Sequence, residues 1–300
     1  MKKLLSLLLM FSFFFHISLQ AKQKNLHQKK YKYEIAAVLM FQNESFFLKE
    51  WIEYHKLIGI EHFYLFNNSS TDNYKEILKP YITSGEVELF NHSGHTHNQK
   101  DHGKIQYSIY KKACKLASGK AKWLAIIDAD EFIYPVHSDS LNAVLKDYED
   151  FGGLYVNYIP FGTSHIEHVS DNRLIIETLI YSTAQVVNFG KSIVRPERVS
   201  DCTDPHRMWY YPPYFHVNTN FQTFDWLPPE AVGDKLLIYH YCLGDINHAL
   251  NVKIPRRSKW YDKPLAADTY LQSCENMNEL LNLSMQRFVP ALREKMHLND

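Results

Sequence analysis

The sequence predicts an α/β fold built on a single, mostly parallel, doubly wound sheet. Three observations carry this. Strand-length apolar runs alternate with amphipathic helical patterns over roughly the first 100 residues of the body. The first two runs end in polar, amide-rich loops. A further run, at residues 123–127, stops abruptly in Asp128, Asp130 and Glu131, as a buried strand does when it delivers charge to a sheet edge.

Residues 1–21 stand apart. Lys2 and Lys3 precede an apolar run that ends near Gln20 and Ala21, the pattern of a secretory signal peptide. An uncleaved signal anchor is the alternative, and membrane association then follows. The basic stretch at 22–32 reads as a stem. The body begins with a strand at 34–41. A helix follows from Ser45 toward Gly59, with Phe47, Leu48, Trp51, Ile52 and His55 at helical spacing. The next elements are a strand around 63–66, a helix at 74–83, a strand at 86–90 and a helix at 104–117. The acid-tipped strand closes this half. Beyond it the pattern predicts a helix at 141–148, a strand from Gly153, two strands within 175–196, and long loops at 200–235. A strand at 235–242 follows, then an amphipathic helical tail at 263–300 beyond the main domain of 33–262.

Lys+Arg and Asp+Glu balance at 33 each, so charge gives no case for a nucleic-acid partner. The four cysteines, Cys114, Cys202, Cys242 and Cys274, match no zinc spacing. In an oxidising compartment Cys202 and Cys242 are the expected pair, and four buried thiols are the alternative.

In open α/β sheets, ligands bind beyond the carboxyl ends of the strands. Asp128 and Asp130 therefore reach one hard divalent cation and leave room for substrate phosphate. Asn43, Glu44, Asn68 and Asp72 end the first two strands on the same edge, where amides and carboxylates bind ribose hydroxyls and base edges. Helix capping is the competing role for Asn43 and Asp72. Lys191, Arg195 and Arg198 offer positive charge for a diphosphate. His240, after a late apolar strand, is a candidate third metal ligand, beside His216, His248 and Lys253. The loop carrying His92, His95, His97 and His102 would instead serve a metal-dependent phosphohydrolase if its imidazoles met the acids.

These motifs in this order resemble glycosyltransferase family 92. The run EWIEYHKLIGIEHFYLFNNSSTDN precedes WLAIIDADEFI, then GKSIVRP, then a late HY. The resemblance implies a GT-A fold with nucleotide-binding and acceptor-binding halves. It implies Mn2+, or Mg2+, as cofactor, a nucleotide-sugar donor (a UDP-sugar foremost) and a glycan or glycoconjugate acceptor. It places Asp128, Asp130 and His240 on the metal, and Asn43, Glu44 and Asn68 along the nucleotide. Lys191 matches its GKSI-type lysine. If the reaction inverts, a carboxylate must take the acceptor proton. Asp204 is the preferred base, with Glu131, Asp201 and Asp225 as alternatives. A non-catalytic nucleotide-sugar or glycan-binding relative is the rival reading. The resemblance and the leader together imply a secretory-pathway or membrane-anchored protein.

Overall fold

In the computed structural model, which describes residues 31–92, 98–261 and 263–298, strand β1 (Tyr33–Phe41) is buried on both faces. Its alternating side chains enter two different cores. Ile35, Ala37, Leu39 and Phe41 pack with Phe47, Leu48, Trp51 and Ile52 of helix α1 (Ser45–Leu57). Ala36, Val38 and Met40 pack with Ile109, Tyr110 and Ala113 of helix α3 (Gln99–Ala117). A strand of period 2 with helices on both sides must be apolar throughout, and β1 is. Between them lie β2 (His62–Asn67), α2 (Tyr74–Ser84) and β3 (Val87–Asn91). Strand β4 (Ala121–Ile126) then joins the opposite side of β1.

The parallel half runs β3-β2-β1-β4. From β1 the chain winds outward through α1, and it returns through α3 on the other face to β4. The crevice between the carboxyl ends of β1 and β4 is thus a topological switch point, where open α/β sheets bind ligands.

The second half departs from the parallel expectation. Strand β7 (Val187–Val194) lies antiparallel to both β4 and β6 (Gly153–Pro160). Strand β8 (Leu236–His240) runs parallel to β6 and antiparallel to β5 (Glu131–Pro135) at the edge. The full sheet is therefore mixed. Hydrophobic periodicity says nothing of strand direction, and antiparallel neighbours need no crossover helix.

Three boundaries moved for local reasons. Helix α3 starts at Gln99 rather than at 104, because Asn98 caps it by accepting the Asp101 N–H at 3.0 Å, and Gly103 falls inside the helix. The two strands expected in 175–196 form, a short one at Tyr181–Ser182 and β7, but the first begins only after a helical turn, Ile175–Thr178. The buried Glu50 carboxylate accepts the N–H groups of Ile175 and Ile176 at 2.7 and 3.0 Å and organises that turn. The tail is broken into short helices, and its last one, α5 (Val289–Met296), docks on the domain through Leu292, beside Met285 and Phe288.

All four cysteines are free and buried. Cys202 packs with Cys114 on the α3 face, whereas Cys242 touches Met277 in another part of the domain, so the expected Cys202–Cys242 bridge does not form. Among the described residues, no helix is long and apolar enough to cross a membrane. Residues 1–30, which contain the expected leader and most of the stem, lie outside the described residues, as do His95 and His97.

Candidate active site

The acids stand where β4 ends. After Ile126 the chain turns through Asp128 and Asp130 and enters β5 at Glu131. The turn closes on itself: Glu131 Oε2 accepts the Asp128 backbone N–H at 2.8 Å, and Glu131 N–H donates to the Asp128 carbonyl at 3.2 Å. Glu131 is enclosed. Its Oε1 accepts the Tyr158 hydroxyl at 2.7 Å, and its backbone carbonyl accepts Trp51 Nε1–H at 2.9 Å. Burial pushes its carboxyl up to about 7.

Each aspartate is answered by a buried lysine from another element. Lys191 on β7 places Nζ 2.7 Å from Asp128 Oδ2. Asp128 Oδ1 accepts the Tyr110 hydroxyl at 3.1 Å. Lys253 places Nζ 2.6 Å from Asp130 Oδ2 and 3.3 Å from Glu44 Oε1. Burial alone would raise both aspartate pKa values. The lysine charges override it, and both carboxyls are held below the ordinary range. His240, at the end of β8, stands 3.6 Å from Asp130 Oδ1. Burial opposes its protonation, but Asp130 outweighs that and its pKa is raised.

Lys253 reaches the site because Ala249–Lys253 form a π-helical turn ahead of helix α4 (Ile254–Trp260). Such turns re-aim side chains at functional sites. Arg256 on α4 pairs with Glu44 Oε1 at 2.7 Å and donates to the Gln42 carbonyl at 2.8 Å. The Trp260 ring lies tilted against that of His102 of α3, ring centroids 4.2 Å apart. Together β1, β4, α3 and α4 enclose a cleft of about 300 Å³ whose lining includes Asp128, Asp130, Lys191, His206, His240 and Lys253.

The profile of glycosyltransferase family 92 matches residues 35–224. The chain belongs to that family. Among curated relatives, a glycosyltransferase family 92 protein of Ricinus communis is 28% identical over 56% of this chain and 30% of its own length. A galactan beta-1,4-galactosyltransferase of Arabidopsis thaliana, GALS3, is 26% identical over 71% of this chain and 42% of its own length. The chain thus spans less than half the length of these two relatives. Among solved structures, S. aureus TarS in complex with UDP-GlcNAc overlaps 54% of this chain and 45% of its own, at 12% identity and a TM-score of 0.36. The mixed α/β sheet, with an acidic turn at its switch point, is the GT-A architecture that the family resemblance implies.

Within this family 92 chain the sequence-predicted residues fall into two groups. Asp128, Asp130, Glu44, Lys191 and His240 converge on the cleft. Asn43 and Asp72 hold loops. Asn43, at φ 53°, accepts the Thr71 N–H at 2.7 Å, and Asp72 Oδ2 accepts the Ser45 N–H at 2.8 Å at the start of α1. Left-handed backbone suits asparagine, and Asp72 caps across the chain. Asn68 is buried, its N–H donating to the Phe41 carbonyl at 2.8 Å. Asp204 accepts the His206 N–H at 2.8 Å and so shapes the loop whose Pro205 and His206 line the cleft.

Asp130, Glu131 and His240 bring one ligand atom each to within 4.8 Å of one another. Two carboxylates and an imidazole suit a hard divalent cation such as Mn2+. Glu131 stands in this trio, while Asp128 lies beside it against Lys191. Arg256, Trp260, His206, Tyr110 and Tyr158 escaped the sequence reading. The Pro255-Arg256-Arg257 run after the last strand, and a tyrosine inside the apolar β6 run, were the available signals.

Proposed function

We propose that this protein transfers a glycosyl group from a nucleotide-sugar donor, a UDP-sugar foremost, to a hydroxyl of a glycan or glycoconjugate acceptor. The observation that carries the reading is the pairing of Asp128 with Lys191 and of Asp130 with Lys253 at the sheet's switch point. Transfer leaves a nucleoside diphosphate, and that growing charge is the main electrostatic demand of the reaction. Lys191, Lys253 and Arg256 line the cleft as fixed cations that meet it. Asp130, Glu131 and His240 would hold the divalent cation, which supplies further charge neutralisation to the diphosphate.

The acceptor hydroxyl must lose a proton. Glu131 is assigned to the cation and is therefore not the base. Asp204 is half-buried beside the lining residues Pro205 and His206, and it is our choice for the base if the reaction inverts. The relatives named as galactan galactosyltransferases make UDP-galactose the first donor to try. The leader expected at residues 1–21 makes membrane association of the whole chain part of this reading.

The test is nucleotide release from a panel of nucleotide sugars with MnCl2 or MgCl2, with and without chelator. Release of one nucleotide, abolished by Asp130→Asn and by chelator, is the expected result. A folded protein that binds no donor at any metal concentration overturns the reading in favour of a non-catalytic relative.

A further inference from the structure

Beside the cleft, the long loops and the start of β7 expose large aromatic side chains. Trp226 is 62% exposed, Phe189 55% and Trp209 50%. Soluble proteins rarely leave such rings clustered in water without a ligand for them. The two tryptophans belong together because of Arg207, which is itself only 6% exposed. Its guanidinium carbon lies 4.0 Å from the Trp226 ring centroid and 5.1 Å from that of Trp209. Its Nε has no hydrogen-bond partner among the described residues. A buried cation held against two indole faces fixes both rings in return. The Trp209 indole is further tied by Nε1–H donation to Thr203 Oγ1 at 2.8 Å. Asn188 donates to the Pro228 carbonyl at 2.7 Å, anchoring the loop that carries Trp226 to the start of β7.

The patch is continuous with the cleft. Arg207 follows His206, which lines it, and the Phe189 ring centroid is 6.2 Å from the His206 ring. From the acids outward, the surface thus passes from charged to polar to aromatic. Pyranose rings are amphipathic: one face carries C–H groups that stack on an indole, while the hydroxyl rim stays wet. A rigid aromatic surface leading away from a sugar-transfer site therefore fits a chain of sugars better than a lipid tail or a small acceptor.

We infer that Trp226, Trp209 and Phe189 form an acceptor platform for a linear oligosaccharide or polysaccharide, binding sugar units beyond the one that receives the transferred residue. This rests on the transferase reading and adds the acceptor class to it.

The test uses the full chain with linear β-1,4-linked galactose, glucose and xylose oligosaccharides of one to six units. Binding is followed by tryptophan fluorescence, and transfer by nucleotide release in parallel. For at least one series, affinity should rise with length in the wild type. Trp226→Ala should weaken hexasaccharide binding about tenfold, as truncating an aromatic anchor does. It should leave the monosaccharide KM and acceptor-free nucleotide release within about twofold. Trp209→Ala should act in the same direction. Length-independent affinity in all three series overturns the inference, as does a Trp226→Ala effect equal for monosaccharide and hexasaccharide. Partition of the patch into phosphatidylcholine–phosphatidylglycerol vesicles, with an emission blue-shift and no response to sugars, also overturns it and assigns the rings to a membrane surface. Trp226-dependent hexasaccharide binding without turnover would keep the platform and remove the transferase reading.

Discussion

Replacing Lys253 with methionine removes one charge from the centre of the site and leaves the stem in place. The ammonium lies 2.6 Å from Asp130 and 3.3 Å from Glu44, and all three residues are buried. At an effective dielectric of ~20, each contact is worth about 5–6 kcal/mol of gross attraction, most of it offset by desolvation. The loss seen on mutation has a ceiling set by chemistry. Asp130, left with His240 as its partner, can escape its charge by taking up a proton. For a carboxyl of ordinary pKa 3.8 that costs about 4 kcal/mol at pH 7 but under about 2 kcal/mol at pH 5. The sign agrees from both sides. In the wild type, the depressed Asp130 pKa gives stability that is present above 3.8 and lost as pH falls below it. In the variant the pKa is raised, so stability declines as pH rises through 4 to 7. Chemical denaturation of both proteins at pH 5 and pH 7 reads this directly. We expect a deficit of about 3–4 kcal/mol at pH 7 that at least halves at pH 5. A deficit of equal size at both pH values would mean that Lys253 acts by packing, for instance its contact with Phe47, and would refute the charge argument.

Glu50 offers a second pH signature: burial lifts its carboxyl to about 7. The folded state then holds a proton that the unfolded state releases, so this group costs stability as pH rises from about 4.5 to 7, up to about 3 kcal/mol. Glu50→Gln should remove that slope, and unchanged pH dependence of unfolding would contradict it. Asp72→Ala should cost about 1 kcal/mol, or about 2 °C in Tm, by exposing the start of α1. If thermal melting does not shift, the cross-chain cap carries no energy.

The parallel half of the sheet was legible because its elements announce themselves locally. Apolar runs of strand length, helical spacing around Trp51 and Tyr54, and glycines after helices are one-dimensional signals. Asp128 and Asp130 were legible for the same reason, since a charge that ends an apolar strand has one place to go. The direction of β7, the split of β4 from β5 and the course of the tail were not, because pairing partners lie far apart in sequence.

The sequence by itself determined the alternation of strands and helices, the edge on which the polar loops gather, and the carboxylates offered there. Only the tertiary structure decided which cations answer them. Lys191 and Lys253 lie 63 and 123 residues from their aspartates. They reach them through a β-strand and a π-helical turn that no local pattern distinguishes from an ordinary basic segment. The same holds for Glu131. Its sequence position suggests an exposed acid at a strand end, yet the edge pairing of β5 with β8 encloses it and raises its pKa. Charge placement is written in the chain. Charge pairing depends on burial and distance, and both exist only once the sheet has closed.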